Sequence, residues 1–298
     1  MATGGFMTAS QTILAGPLDR KPSDDEIDVY GLTHPGKVRP DNQDHFLICA
    51  LRKQIVVNQT SLPETNRLMA GPERLAFLAM VADGVGGGQR GEVASRLALE
   101  GVTQYVSGTM DCYYAANSGD DQAFFESLQA GAVRCHEALR RHGEEDPDFS
   151  GMATTLTLYL GVWPRAYLLQ VGDSRCYLFR NGELHQLSRD QTMAQELLDL
   201  GVLTKGETPP ARLVRTLSSS LGGRQSAPMV TRFDMTWGTV VLLCSDGLTH
   251  HVSDGRIREV LRSMKSAQQV CEDLLADALA DGGSDNITII VGRAVRQA

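Results

Sequence analysis

The sequence predicts an α+β domain: antiparallel sheets with helices packed on their outer faces. Three observations carry this. Leu75–Ala82 and Thr239–Ser245 are continuous apolar runs of strand length, the pattern of strands covered on both faces. Strand-like segments follow one another as hairpin neighbours rather than alternating strictly with helices, which favours antiparallel pairing over a parallel sheet. A few long segments carry apolar residues at helical spacing. The chain has 298 residues, 42% of them hydrophobic, ample for a sizeable core.

The elements follow in order. Residues 1–25 carry Gly, Ser, Pro and acids without periodicity and read as a flexible tail; residues 26–298 read as one domain. Val56–Leu75 is polar and turn-rich, a long loop between two strands. After a glycine-rich turn, Ala94, Ala98, Val102 and Tyr105 mark one helix. Met110–Asp121 reads as a second loop. Phe124, Leu128, Ala132, Cys135 and Leu139 form the stripe of a second helix. In the strand around Thr154–Leu160, Leu156, Leu158 and Leu160 share one face, with Thr155, Thr157 and Tyr159 on the other. Arg165–Val171 and Arg175–Leu187 supply further strands, with Asn181-Gly182 as a hairpin turn. Val270, Leu274 and Ala278 mark a late helix closed by Gly282-Gly283, and Asn286–Val295 ends the chain as a strand.

Composition excludes several classes. The formal net charge of −8 argues against nonspecific binding to nucleic acid or an anionic membrane. No apolar run approaches the roughly 18 residues needed to span a bilayer. The N-terminus lacks a basic region and a long apolar stretch, so no signal peptide is expected. Six cysteines are scattered without CxxC or metal-like spacing, as in reduced thiols of a cytoplasmic protein. The seven histidines show no ligand spacing, and His250-His251 are expected to be solvent exposed.

The stretch MVADGVGGGQRG, Met80–Gly91, looks like a phosphate cradle. Gly86–Gly91 satisfies GxGxxG between a strand and a helix. Two features oppose a dinucleotide site. No second strand ends in an acid about 20 residues on. Asp83 also stands beside the glycines, where a bare carboxylate would repel a pyrophosphate. Other aspartates are placed like Asp83. Asp173 and Asp246 end strands, and Asp44 and Asp285 open them. Singly, such residues are ordinary turn formers, and Asp254-Gly255 and Asp281-Gly282 are read that way. Five gathered together would repel one another, and a divalent cation removes that penalty. An all-oxygen set selects a hard ion, Mg²⁺ or Mn²⁺, over zinc.

In order along the chain, GKVRPDNQD, ADGVGG with GEVAS, GMATT, VGDSR, LCSDGLT and SDNITIIV resemble the metal-dependent protein phosphatases of type 2C in their bacterial form. The resemblance covers about Val29 to Val291. It implies a four-layer α-β-β-α sandwich and hydrolysis of phosphoserine and phosphothreonine on proteins by a bridging metal-bound hydroxide, without a covalent intermediate. By this resemblance Asp83 bridges two ions and Gly84 lends a carbonyl to one. Asp246 and Asp285 hold the second, and Asp44 acts through water. Asp173 with Asp246 would hold a third ion. Arg39 grips the substrate phosphate, and Asn286 orders the Asp285 turn. Thr154 and Thr155 match a structural pair. A segment at about 192–216 corresponds to a flap, or to a short helix pair capping the sheet.

Departures from the family pattern are Val85, Gly88, Ala153, Gln191 and Gln43. They bear on substrate preference and proton delivery rather than on the metal ligands. The implied partners are phosphorylated substrates of a Ser/Thr kinase, met by a monomer in the cytoplasm. Two alternatives stand: a catalytically silent module that binds or senses phosphoproteins, and a phosphatase for small metabolites.

Overall fold

Two antiparallel sheets lie face to face, each covered outside by helices. The computed structural model describes residues 20–54, 58–61, 73–87, 89–115, 121–204 and 208–296. The strands are β1 (Ile27–His34), β2 (Asp44–Lys53), β3 (Glu73–Val85), β4 (Ala153–Thr154), β5 (Leu156–Val162), β6 (Arg165–Val171), β7 (Arg175–Arg180), β8 (Glu183–Gln186), β9 (Met229–Asp234), β10 (Val240–Cys244) and β11 (Ile287–Ala294). The helices are α1 (Gln89–Ala115), α2 (Asp121–Glu145), α3 (Met193–Asp199), α4 (Ala211–Val214), α5 (Asp246–Thr249), α6 (Asp254–Arg262) and α7 (Ala267–Ala280). One sheet has the order β1-β11-β10-β7-β8; the other has β2-β3-β5-β6-β9, with β4 paired to β3.

The apolar pattern explains the layers. In β3, Leu78, Met80 and Ala82 face α1 and α2, while Ala79 and Val81 face the opposite sheet. Both faces are dry, which is why the run is continuous rather than alternating. β5 alternates because its second face carries Thr157, whose hydroxyl donates to the Ser174 carbonyl at 2.9 Å. Between the sheets, Ala166 and Leu168 meet Cys176, Leu178, Val241, Leu243 and Ile290. On the far side Ile257, Val260, Val270, Cys271 and Leu274 of α6 and α7 pack on Leu242, Ile289 and Val291. Each fully buried leucine contributes about 1.5–3 kcal/mol by leaving water. The β7–β8 turn has Asn181 and Gly182 at φ 54° and 82°, the positive pair that a two-residue hairpin requires.

Strand direction then sets one functional end. β3, β6 and β10 run toward it, and β2 and β11 start from it. All five candidate aspartates therefore fall at the same rim of the sandwich.

Several local expectations change. Of residues 1–25, 1–19 lie outside the described residues. Arg20–Asp25 are tied down: Arg20 pairs with Glu26, and Asp24 pairs with Arg52 and Arg74. Most of the loop expected at Val56–Leu75 lies outside the described residues, but Glu73–Leu75 already belong to β3. Met110–Ala115 continue α1 rather than forming a loop, and residues 116–120 are not described. Asp254-Gly255 opens α6 behind the Ser253 N-cap instead of making a turn, since the serine hydroxyl accepts the Arg256 amide. At 192–216 the described residues form the α3 and α4 pair, with Thr192 capping α3. No helix among the described residues is long and apolar enough to cross a membrane.

Candidate active site

Asp83 is held by its backbone. Its amide donates to Thr155 Oγ1 at 3.0 Å. Its carbonyl accepts from Thr154 Oγ1 and from the Thr155 amide, each at 2.9 Å. Thr155 Oγ1 also meets Ser174 Oγ at 2.8 Å, so the paired threonines couple the Asp83 strand end to the residue after Asp173. Gly84 follows in a space only glycine fits: a Cβ there would come within 2.2 Å of the Gly91 carbonyl oxygen and 2.7 Å of that of Gln43. Gly86 and Gly87 adopt φ of 133° and 72°, which turns the chain into α1. Gly88 lies outside the described residues.

Asp44 lies directly opposite Asp83 in the β2–β3 register. Its Oδ2 accepts from Ser245 Oγ and Thr288 Oγ1, both at 2.7 Å. Its Oδ1 is buried with no partner among the described residues. Asp173 follows β6 on a turn locked by two glutamines. Gln191 Oε1 accepts the Gly172 amide at 2.8 Å, and Gln170 Nε2 donates to the Gly172 carbonyl at 3.0 Å. Gln191, a departure in sequence, thus positions the Asp173 turn and ties it to the Ala227 carbonyl at 2.8 Å.

Asp246 begins α5, and Asp285 precedes β11. Asn286 anchors the latter turn: its Oδ1 accepts the Gln43 amide at 2.9 Å, and its Nδ2 donates to the carbonyls of Pro35 and Asp41. Arg39 grips Asp285 with both arms, Nε to Oδ1 at 2.8 Å and one terminal nitrogen to Oδ2 at 2.7 Å. The expected phosphate anchor and an expected metal ligand are therefore paired with each other. Among the described residues no three Asp, Glu, His or Cys side chains close on a common point, and Asp285 is turned toward the guanidinium instead.

The electrostatics of the other four acids are those of crowded, dehydrated carboxylates. Burial pushes Asp44 up to about 7; its two hydroxyl donors oppose the rise, and repulsion from Asp246 and Asp285 adds to it. Burial, then repulsion from Asp44, Asp246, Asp173 and Asp285, raises Asp83 well above the usual range. Burial and the Asp246 charge do the same to Asp173. Burial raises Asp246, opposed by His250 and reinforced by Asp285. The Asp285 carboxylate does the reverse to Arg39, holding its guanidinium above its ordinary range.

These residues fit a hard divalent cation. The donors are oxygens, Asp44, Asp83 and Asp173 repel their neighbours with no basic side chain bonded to them among the described residues, an orphaned carboxylate oxygen lies among them, and glycine lets a backbone carbonyl approach. Val85, 41% exposed beside the turn, has no proton to offer a leaving group.

Sequence reasoning missed Ser245, Thr288 and His251. Ser245 adjoins Asp246, and Thr288 lies two residues after Asn286 in the chain. That adjacency was the available signal. His251, expected in solvent, has a side chain only 10% exposed, with both ring nitrogens bonded.

Comparison with known proteins follows the same lines. The family model described as protein phosphatase 2C matches residues 68–282. The serine/threonine protein phosphatase PstP of Mycobacterium tuberculosis is 35% identical over 223 residues, 74% of this chain; the chain covers 41% of that relative's length. Protein phosphatase PhpP of Streptococcus pneumoniae is 30% identical over 267 residues, covering 88% of this chain and 96% of that protein. The crystal structure of the PstP catalytic domain in complex with two manganese ions superposes with a TM-score of 0.68 at 31% identity, covering 91% of this chain and 99% of that one.

Proposed function

The chain belongs to the protein phosphatase 2C family, and from that premise we propose that it hydrolyses phosphoserine and phosphothreonine esters on proteins, as a monomer, with Mn²⁺ or Mg²⁺ as cofactor. The observation that carries this is the convergence of five aspartates from strand ends of both sheets on one rim, with Arg39 bonded to one of them. Asp83, the Gly84 carbonyl, Asp246 and Asp285 would hold two ions, Asp44 through water, and Asp173 with Asp246 a third. The manganese bound by the PstP catalytic domain supports that ion class here. When bound, the cations supply positive charge to the phosphate and make a water acidic enough to ionise near neutrality.

The chain's own residues do the rest. Arg39 exchanges its carboxylate partner for the substrate phosphate, whose oxygens match the same planar fork. Asp285 would then be free to serve as a cation ligand, so that neither charge would be left unpaired. Asp44, fastened through Oδ2, keeps Oδ1 available to orient the attacking water. Thr154 and Thr155 keep the Asp83 strand end from moving as charge builds up. The reaction needs no side-chain nucleophile, because the attacking group is water in line with the leaving oxygen.

The test is release of phosphate from phosphothreonine and phosphotyrosine peptides in parallel, with and without Mn²⁺. Turnover on the phosphothreonine peptide should require Mn²⁺. It should fall on the order of a thousandfold in Asp83→Ala, several kcal/mol of lost charge stabilisation at 1.36 kcal/mol per decade. No turnover on any phosphoester at saturating Mn²⁺ would leave a binding module. Turnover confined to small phosphate esters would move the substrate class to metabolites.

A further inference from the structure

His251 stands just beyond α5, the short helix that begins with Asp246, and its ring spans the turn that carries Asp285. Its Nδ1 lies 2.9 Å from Asp281 Oδ2. Its Nε2 lies 2.9 Å from Ser284 Oγ and accepts the Ser284 amide at 2.9 Å. Asp281 is the C-cap of α7 and Ser284 precedes Asp285, so one imidazole braces both ends of the Asp281–Ser284 turn.

The turn needs bracing. Gly282 and Gly283 take φ of 128° and 54°, and glycine leaves the most backbone freedom to be lost. Its other side is closed by the β1–β2 connection, where the Lys37 amide donates to the Gly283 carbonyl at 2.7 Å. A Cβ at Gly36 would lie 2.2 Å from the Asp285 carbonyl oxygen, so that contact is already tight. Asp281, His251 and Ser284 have the outline of a nucleophilic triad. The Ser284 amide, however, already occupies the Nε2 lone pair that a catalytic base would need.

We infer that His251 is a positioning residue that sets the distance between the Asp246 and Asp285 arms of the metal site. It does so by tying the end of the Asp246 helix to the turn before Asp285. The inference rests on the metal-dependent reading above and deepens it. The ring touches neither carboxylate; it fixes the backbone that presents one of them. An imidazole with Nδ1–H toward Asp281 and a bare Nε2 toward Ser284 suits both contacts at once.

The experiment uses the full chain and three proteins: wild type, His251→Ala and His251→Gln. Mn²⁺ binding is measured by calorimetry, and amide hydrogen exchange over residues 281–286 is measured in metal-free protein. His251→Ala should bind Mn²⁺ about tenfold more weakly, the lower end of what losing an outer partner costs. Its turn amides should exchange faster than those of wild type. Glutamine places an oxygen near the Nε2 position, so His251→Gln should recover most of the affinity and the slow exchange. Wild-type Mn²⁺ affinity in His251→Ala, or no rescue by glutamine, would overturn the inference while leaving the metal reading intact. Wild type that binds no Mn²⁺ would instead defeat the metal reading. In that case the exchange arm, which needs no ion, still decides whether His251 restrains the turn; unchanged exchange defeats the restraint as well.

Discussion

The two ends of the sandwich treat charge in opposite ways. At the end where β1 and β3 begin, acids meet arginines. Arg20 holds Glu26, Arg52 and Arg74 share Asp24, and Arg293 bonds Asp28 at 3.1 Å. The Arg20 contact depresses Glu26 well below the usual carboxylate range, and the Arg52 hydrogen bond lowers Asp24. At the opposite end Asp44, Asp83, Asp173 and Asp246 are driven up by burial and by one another, and Arg39 is bonded to Asp285. One end is neutralised from within the chain. The other is left to be neutralised by something that binds, and an uncompensated buried charge is where ligand binding can do the most.

The sharpest way to break this contrast is Asp83→Asn. It keeps the shape of the side chain and removes one of the mutually repelling charges. Mn²⁺-dependent turnover should drop on the order of a thousandfold. The metal-free variant should nonetheless melt higher than metal-free wild type at pH 7.5, because a buried repulsion is gone. A lower melting point would mean that the acids at this rim hold the fold together, as those at the other end do.

Arg39→Lys is the next largest. A lysine keeps the charge and loses the fork, so KM for phosphopeptide should rise about tenfold with Mn²⁺ affinity little changed. An unaltered KM would remove Arg39 from the phosphate site and leave it as the partner of Asp285.

The opposite end gives a smaller, separate effect. Arg74 is buried and bonded to Asp24 and to the Pro22 carbonyl. Arg74→Ala should cost about 1–3 kcal/mol in denaturant unfolding, since Asp24 is half exposed and can turn to water. Turnover at saturating Mn²⁺ should be unchanged. Lost turnover in a folded variant would show that the two ends are not independent.

Last comes pH. Asp44 has a folded pKa of about 7, above its ordinary value of 3.8. A raised carboxyl contributes stability that is complete below the unfolded value and lost as pH rises through the folded one. Metal-free protein should therefore lose thermal stability between about pH 4 and 7, and Mn²⁺ should restore it at pH 7. Asp24, depressed by Arg52, works the other way: its contribution is present above pH 3.8 and fades in stronger acid. A metal-free melting curve flat across pH 5–7.5 would remove Asp44 from the set of strained acids.

Much of the fold was legible because its signals are local. Period-two alternation marked β5, the apolar runs marked β3 and β10, and Asn181-Gly182 marked a turn that needs positive φ at both residues. The aspartates were legible as strand-end residues. Errors fell where local pattern competes with context. Met110–Ala115 reads as part of a loop in sequence, yet α1 runs through it. Asp254-Gly255 has the composition of a turn, but the Ser253 cap before it makes it a helix start.

By itself, then, the sequence determined most of the strands, though not β1 or β9, together with the long helices and the oxygen-bearing residues at strand ends, because those depend on neighbours within a few positions. Only the tertiary structure decided how the acids are held. Ser245 and Thr288 reach Asp44 across 201 and 244 residues of chain, Arg39 reaches Asp285 across 246, and His251 reaches Ser284 across 33. A hydrogen bond is a matter of tenths of an ångström and of direction, and residues so far apart acquire that geometry only when the strands that carry them assemble.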